Sequence, residues 1–223
     1  MSNLFLNDSL FNSDISAWDI SNVTDVSGMF KNAIIFNGDL SSWDVSNALN
    51  MNSMFENAES FAGDLSLWDV SNVTNMREMF TGAVSFQSDL SNWNVSSVVD
   101  MFRMFKLSNY NGDLSSWDVS SVENMQALFN TNPAFSGDLS EWNVSSLTNM
   151  HNMFVNASSF NSDISSWDVS NVTNMSNAFQ NAESFNQNLS NWDISSVTVM
   201  EGVFNGQTAL SDTNKCYMDD AFQ

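Results

Sequence analysis

The sequence predicts a one-dimensional α/β solenoid, about nine stacked units with one short strand and one short helix in each. Three observations carry the prediction. An aromatic residue opens each unit at Phe11, Phe36, Phe61, Phe86, Tyr110, Phe135, Phe160 and Phe185, Leu210 opens a last partial unit, and the spacing is 25 residues except for one of 24. Within the unit Phe61–Ser85, Trp68 and Val70 alternate with Asp69 and Ser71, the period-2 mark of a short strand with one dry face. Further on, Met76, Met79, Phe80 and Ala83 follow i, i+3, i+4, i+7, the single stripe of an amphipathic helix.

Each element follows from this frame. The strand covers Leu65–Ser71 and the helix Val73–Ala83, with Ser71, Asn72 or Thr74 as its N-cap. So short a helix does not persist alone. Ordering a unit costs at least as much as its buried aromatic, Trp, Leu, Val, Met and Phe side chains return, so only stacking makes it stable. Asn37-Gly38-Asp39, Asn111-Gly112-Asp113 and Ser136-Gly137-Asp138 read as turns. Pro133, the only proline, lies in a linker where its missing N–H costs little. The one irregularity is at Lys106–Asn109, one residue short, and a tightened loop is expected there, not a break.

Met1, Leu4 and Phe5 fall where Met76, Met79 and Phe80 fall in the third unit, so the chain opens in the second half of a repeat, as a piece of a longer protein would. Repeats are assigned to 1–209. The Trp segment does not recur after that, and 210–223 reads as a capping helix with Ser211 or Asp212 as N-cap and Met218, Ala221 and Phe222 as its buried stripe.

Five Lys and Arg against twenty-six Asp and Glu leave a net charge of −21, which repels nucleic acid and anionic membranes. Cations or a basic protein surface are the natural counterparts. Eight Trp and eighteen Phe supply core enough to set disorder aside. Cys216 is the only cysteine, so no intrachain disulfide forms. The first residues lack a basic, then apolar, leader pattern, and no run is long enough to span a membrane. The chain either stays inside the cell or belongs to a longer exported protein.

Candidate sites lie in columns. Trp18, Trp43, Trp68, Trp93, Trp117, Trp142, Trp167 and Trp192 are either an exposed sugar-binding track or an internal stack; sharing parity with the following valine favours the stack. The pairs Met51/Met54, Met76/Met79 and Met101/Met104 have a copper-ligand look, but helical spacing beside Phe reads as core. Two acidic columns account for thirteen of the twenty-six acids. The first, Asp14, Asp39, Asp64, Asp89, Asp113, Asp138 and Asp163, follows a turn and is expected to accept backbone N–H groups, with calcium as the lesser reading. The second, Asp19, Asp44, Asp69, Asp118, Asp168 and Asp193 with Asn94 and Asn143 interposed, points away from Trp and Val. It is a solvated face or a face that binds a ligand or cation. His151 has no second histidine for a metal or triad and reads as a surface residue; Cys216 reads as a cap residue, with no base nearby. Glycosylation triplets such as Asn22-Val23-Thr24, Asn72-Val73-Thr74 and Asn143-Val144-Ser145 arise from the repeat itself. No phosphate loop, paired Cys ligands or His-Glu constellation occurs, so no enzyme is expected.

The repeated string F-N-x-D-[LI]-S-x-W-[DN]-[VI]-S-x-V-T-x-M-x-x-M-F-x-x-A, seen in FNSDISSWDVSNVTNMSNAFQNA at 160–182, resembles the repeat of BspA-like bacterial surface proteins across essentially the whole chain. The ending LSDTNKC resembles the way such arrays finish. The resemblance implies a leucine-rich-repeat-like stack, extracellular or cell-surface display as part of a longer exported protein, and adhesion without catalysis. Leu65-x-x-Trp68-x-Val70 fits the leucine-rich consensus, but its Asn position falls on Val73, so the usual asparagine ladder is absent or displaced to Asn75. The expected binding face for a protein or glycan is the second acidic column together with Ala17, Ser42, Leu67, Asn92, Ser116, Glu141, Ser166 and Asn191. The alternatives are a structural spacer or fibre element and an ion-binding acidic face. A regular polar ladder also admits ice binding, but Asp and Ser stand where a flat threonine array is needed.

Overall fold

Turns, each closed by an amide bonded three residues back, govern the backbone. Leu65 to Trp68 and Val70 to Val73 are each closed by an N–H···O=C bond, of 3.1 and 2.9 Å, and each is preceded by an aspartate, Asp64 or Asp69. The same Asp/Asn-then-turn pattern recurs at Asn75, where Met79 N–H bonds to Met76 C=O at 3.3 Å. Turns from Glu78 to Thr81, Phe80 to Ala83 and Ala83 to Phe86 complete the circuit. Each unit is therefore a closed coil of consecutive β-turns. The structure, a computed structural model, describes residues 1–206 and 208–214.

This corrects the α/β expectation. Among the described residues only 212–214 are helical, and there is no strand, only isolated parallel bridges joining Asp25, Asn50, Asn75, Asp100, Asn124, Asn149, Asn174 and Val199 in succession. The units are not strand-plus-helix pairs, and leucine-rich-repeat geometry does not describe them. The physical reason lies in the amides. In a helix every N–H bonds four residues back. Here Met76, Glu78, Phe80 and Gly82 donate instead to Asp100, Phe102, Met104 and Lys106 of the next coil, at 3.0, 2.7, 3.0 and 2.8 Å. Met79, Thr81 and Ala83 close three-residue turns. Glu78 and Gly82 lie in the left-handed region, at φ 55° and 68°, and no α-helix passes through such residues. The pair recurs in every coil, at Asn3 and Asn7, Gly28 and Asn32, Ser53 and Asn57, through to Gly202 and Gly206. Corners spaced three and four residues apart turn the same side chains inward as a helical stripe does, so the two readings share one hydrophobic pattern.

A second hydrogen-bond ladder runs through the next column: Leu49 N–H bonds to Thr24 C=O, Thr74 to Leu49, Val99 to Thr74, and so on to Thr198 on Thr173, with lengths of 2.8–3.0 Å. Side chains reinforce it. Asn32 Nδ2 donates to Asn7 Oδ1 at 2.7 Å and Asn57 to Asn32 at 2.8 Å. That amide ladder stops at Gly82, which has no side chain to donate, and the Asn57 side-chain oxygen fills the place a Cβ would take.

The core is a pile of rings. Phe30, Phe55, Phe80, Phe105, Phe129, Phe154 and Phe179 stack coil on coil with centroids 5.5–5.8 Å apart. Each packs flat on the unit-opening ring, as Phe80 does on Phe86 at 4.0 Å. The methionine pairs are buried in this core. The indoles face inward too: Trp43 through Trp192 are buried, and each Nε1–H donates to the Leu or Ile carbonyl of the preceding coil, Trp117 to Leu90 at 2.9 Å. Trp18, in the first coil, is 38% exposed.

The short coil keeps its register. Met101, Arg103, Phe105 and Leu107 donate to Asn124, Gln126, Leu128 and Asn130 at 2.9–3.0 Å, so the ladder crosses the deletion unbroken. Two substitutions repair the loop. Ser108 is buried and bonds through Oγ to Phe105 C=O at 2.8 Å. Asn132, where Ala58, Ala83 and Ala157 stand in other coils, reaches Ser108 Oγ at 3.2 Å and Tyr110 C=O at 3.0 Å. At the far end Ser211 Oγ accepts from Asn214 N–H at 3.2 Å, an N-cap contact on the helical turn. Cys216, Met218, Ala221 and Phe222 lie outside the described residues.

Candidate binding face

The aspartates begin the turns. In the first column Oδ1 of Asp14, Asp39, Asp64, Asp89, Asp113, Asp138 and Asp163 accepts the N–H of the serine two residues on, at 2.9–3.0 Å. In the second column Asp19, Asp44, Asp69, Asp118, Asp168 and Asp193 do the same, at 3.0–3.1 Å. Asn94 and Asn143 keep that bond, at 3.2 and 3.1 Å, without the charge. Both columns are thus Asx turns, which bind a backbone amide that would otherwise go unpaired. The second column is not the solvent side of a strand.

Hydrogen bonding outweighs repulsion here. The Ser46 hydroxyl and amide hold Asp44 below the ordinary carboxylate range despite the neighbouring Asp19. Asp69 is lowered by Ser71 in the same way, against burial and Asp44. Asp39 lies between Asp14 and Asp64, and the Ser41 bonds still lower it. Asp118, with Asn94 and Asn143 in the coils on either side, is lowered by Ser120 and is spared that repulsion. The carboxylates therefore stay ionised, each with Oδ1 engaged.

All twelve residues of the expected face are exposed: the second column from Asp19 to Asp193, and Leu67, Asn92, Glu141 and Asn191, as are Ala17, Ser42, Ser116 and Ser166. Position 67 and its counterparts lie at the outer corner of the first turn, between the buried Leu65 and Trp68. Leu67, the one large apolar residue among them, is 83% exposed. Shallow clefts run beside the first column. One of about 440 Å³ is lined by Gly63, Asp64, Ser66, Gln87, Ser88 and Asp89, and one of about 560 Å³ by Gly137, Asp138, Asn161, Ser162 and Asp163. Among the described residues no three Asp, Glu, His or Cys side chains converge as metal ligands would. His151 is half-buried, with Nδ1 at 2.6 Å from Ser176 Oγ and Nε2 at 2.9 Å from Asn152 Nδ2.

A basic cluster escaped the sequence reading. Lys31 pairs with Glu56 at 2.6 Å, Arg77 with Asp100 at 2.8 Å and Arg103 with Glu78 at 3.2 Å. Both guanidinium groups stand over Phe102, at 4.2 and 4.4 Å from the ring centre. The signal was there to find: every Lys and Arg before Lys215 falls in the second half of a unit, between 31 and 106.

A family model described as Mycoplasma protein of unknown function, DUF285, matches residues 1–70, 49–125 and 106–217. The chain belongs to this family. Three overlapping matches along one chain agree with the tandem coils. A comparison with curated proteins returns no match. No helix among the described residues is long and apolar enough to cross a membrane.

Proposed function

We propose that the chain is a non-catalytic binding module of a BspA-like surface protein, displayed outside the cell, that recognises a protein or glycan through its exposed turn columns. One observation carries the reading. The fold uses the residues on either side of the first turn's outer corner, and exposes the corner itself. Leu65 and Trp68 are buried, and Asp64 and Asp69 are committed to the backbone, whereas the corner is exposed in every coil and varies among Ala17, Leu67, Asn92, Glu141, Asn191 and the serines Ser42, Ser116 and Ser166, of which only the serines spend their side chains on a carbonyl of the preceding coil. A rigid row of interchangeable side chains at fixed spacing suits recognition, because order there is set by folding and costs little on binding.

The test is a glycan array and a panel of extracellular-matrix proteins probed with the full chain and with a Leu67→Ala/Asn92→Ala/Glu141→Ala variant. Specific binding by the parent, weakened at least about tenfold in the variant, is expected. Equal binding by both would remove the corner column from the reading. A blank result for both favours the second reading, a spacer or fibre element, which the unbroken ladders and ring stacks suit well.

A further inference from the structure

We propose that Arg77, Phe102, Arg103 and Lys106 form a docking site for an acidic, apolar segment of a partner protein, one of whose carboxylates pairs with Lys106. This site is separate from the corner column and does not depend on it. Charge makes the first argument. In a chain of net charge −21, three cations meet here against the two carboxylates of Asp100 and Glu78, and those two are already bound by Arg77 and Arg103. Glu56, the next nearest acid, pairs with Lys31. Among the described residues Lys106 has no carboxylate within ion-pair distance. Its ammonium is disfavoured by burial and by Arg103, more than Glu78 and Glu56 favour it, and an incoming anion would reverse that.

Backbone conformation makes the second argument. In most coils the two left-handed corners carry Asn, Gly or Ser. The departures run over three neighbouring coils, with Glu78, Arg103 and Leu107 at φ 55°, 56° and 56° at this place and Ala127 and Thr131, at 56° each, in the coil beyond it. Side chains placed where the backbone resists them point to a use for the side chains themselves. Leu107 is 46% exposed and stands over Gly82, whose N–H bonds to the Lys106 carbonyl, and Val84, two residues along, is 41% exposed. Apolar surface thus borders the unpaired ammonium, and the one shortened loop, 106–109, lies beside it. Arg and aromatic residues held in place by neighbours are the usual anchors of protein interfaces. A carboxylate flanked by aliphatic or aromatic residues matches both halves of the surface.

The experiment pans a phage-displayed peptide library on the full chain at about 0.15 M salt. Enriched peptides are then measured against an Arg103→Asn/Leu107→Asn variant and a Lys106→Met variant. Asparagine is at ease in the left-handed region, which offsets the loss of the Arg103–Glu78 pair, so the double variant is expected to stay folded at the assay temperature, as its thermal melting checks. Enriched peptides are expected to carry Asp or Glu beside Leu, Ile or Phe, and to bind both variants about tenfold or more weakly. Exchanging the peptide carboxylate for its amide should cost as much. No enrichment, enriched peptides without a carboxylate, or equal binding to the Lys106→Met variant would overturn the proposal. So would retention on heparin that the variants lose while no peptide competes, because that assigns the cluster to a sulfated glycan.

Discussion

Trp117 and Trp18 occupy the same place in the repeat and do different work. Trp117 is buried, and its Nε1–H donates at 2.9 Å to the Leu90 carbonyl of the preceding coil, so the indole both fills the core and ties two coils together. Trp18 has its ring partly in solvent, at 38% exposure. Replacing Trp117 by Phe removes a buried hydrogen bond and leaves a gap, and should destabilise by about 2–3 kcal/mol. The same change at Trp18 should cost under about 1 kcal/mol. Urea denaturation of the two variants measures the contrast. Equal losses would mean that neither the indole N–H bond nor the burial of Trp117 sets it apart from Trp18. The inward stack of indoles was legible in the sequence, because Trp shares parity with Val two residues on. The acceptor was not legible, since Leu90 lies 27 residues away and only the stacked coils bring it near.

The elements were harder to read than the residues. Met76, Met79, Phe80 and Ala83 are buried as a helical stripe requires, yet the chain there is a run of turns. Hydrophobic spacing reports which side chains face inward and is silent on where the amides go. The sharper clue was composition: Asn, Gly and Ser recur at the positions of Glu78 and Gly82, and these residues favour the left-handed region over a helix. Alternation around Trp68 misled in the same way, because turn corners alternate in and out as strand residues do. The candidate face was half legible, since exposure of Leu67 and Asp69 follows from the burial of Trp68. The basic cluster was not, because Arg77 and Arg103 meet Phe102 only across the coil interface. One element tests the account directly. Ala occupies the place of Asn132 in other coils, so Asn132→Ala would restore the repeat's own pattern. It should nevertheless destabilise by about 1–3 kcal/mol, because the shortened loop relies on the Asn132 amide to satisfy Tyr110 C=O and Ser108 Oγ. A variant as stable as the parent, by thermal melting, would show that the loop closes without it.

At the scale of the whole molecule, the two acidic columns set how stability varies with pH. Each aspartate in them is held below its ordinary value, first by the hydrogen bonds of the serine two residues on. A carboxylate lowered in the folded state contributes stability that is fully present above its unfolded value, near 3.8, and is lost as pH falls through the folded one. Unfolding the coils frees these groups to take up protons, so acid favours the unfolded chain. The opposing effect, relief of a −21 charge on acidification, comes late, because the same bonds keep the columns ionised to low pH. The thermal midpoint should therefore stay nearly level from about pH 7 to 5 and fall steeply below about pH 4. Salt weakens the three ion pairs too, but at a net charge of −21 repulsion is the larger effect, so raising it at pH 7 should raise the midpoint by screening Asp44 from Asp19 and Asp69. Asn94 and Asn143 supply the control, since each forms its Asx turn without a charge. A chain in which Asp19, Asp44, Asp69, Asp118, Asp168 and Asp193 are all replaced by Asn should keep its turns, lose part of the salt effect at pH 7 and show a shallower fall in acid. An unchanged acid limb in that variant would mean that the first column carries the pH dependence instead.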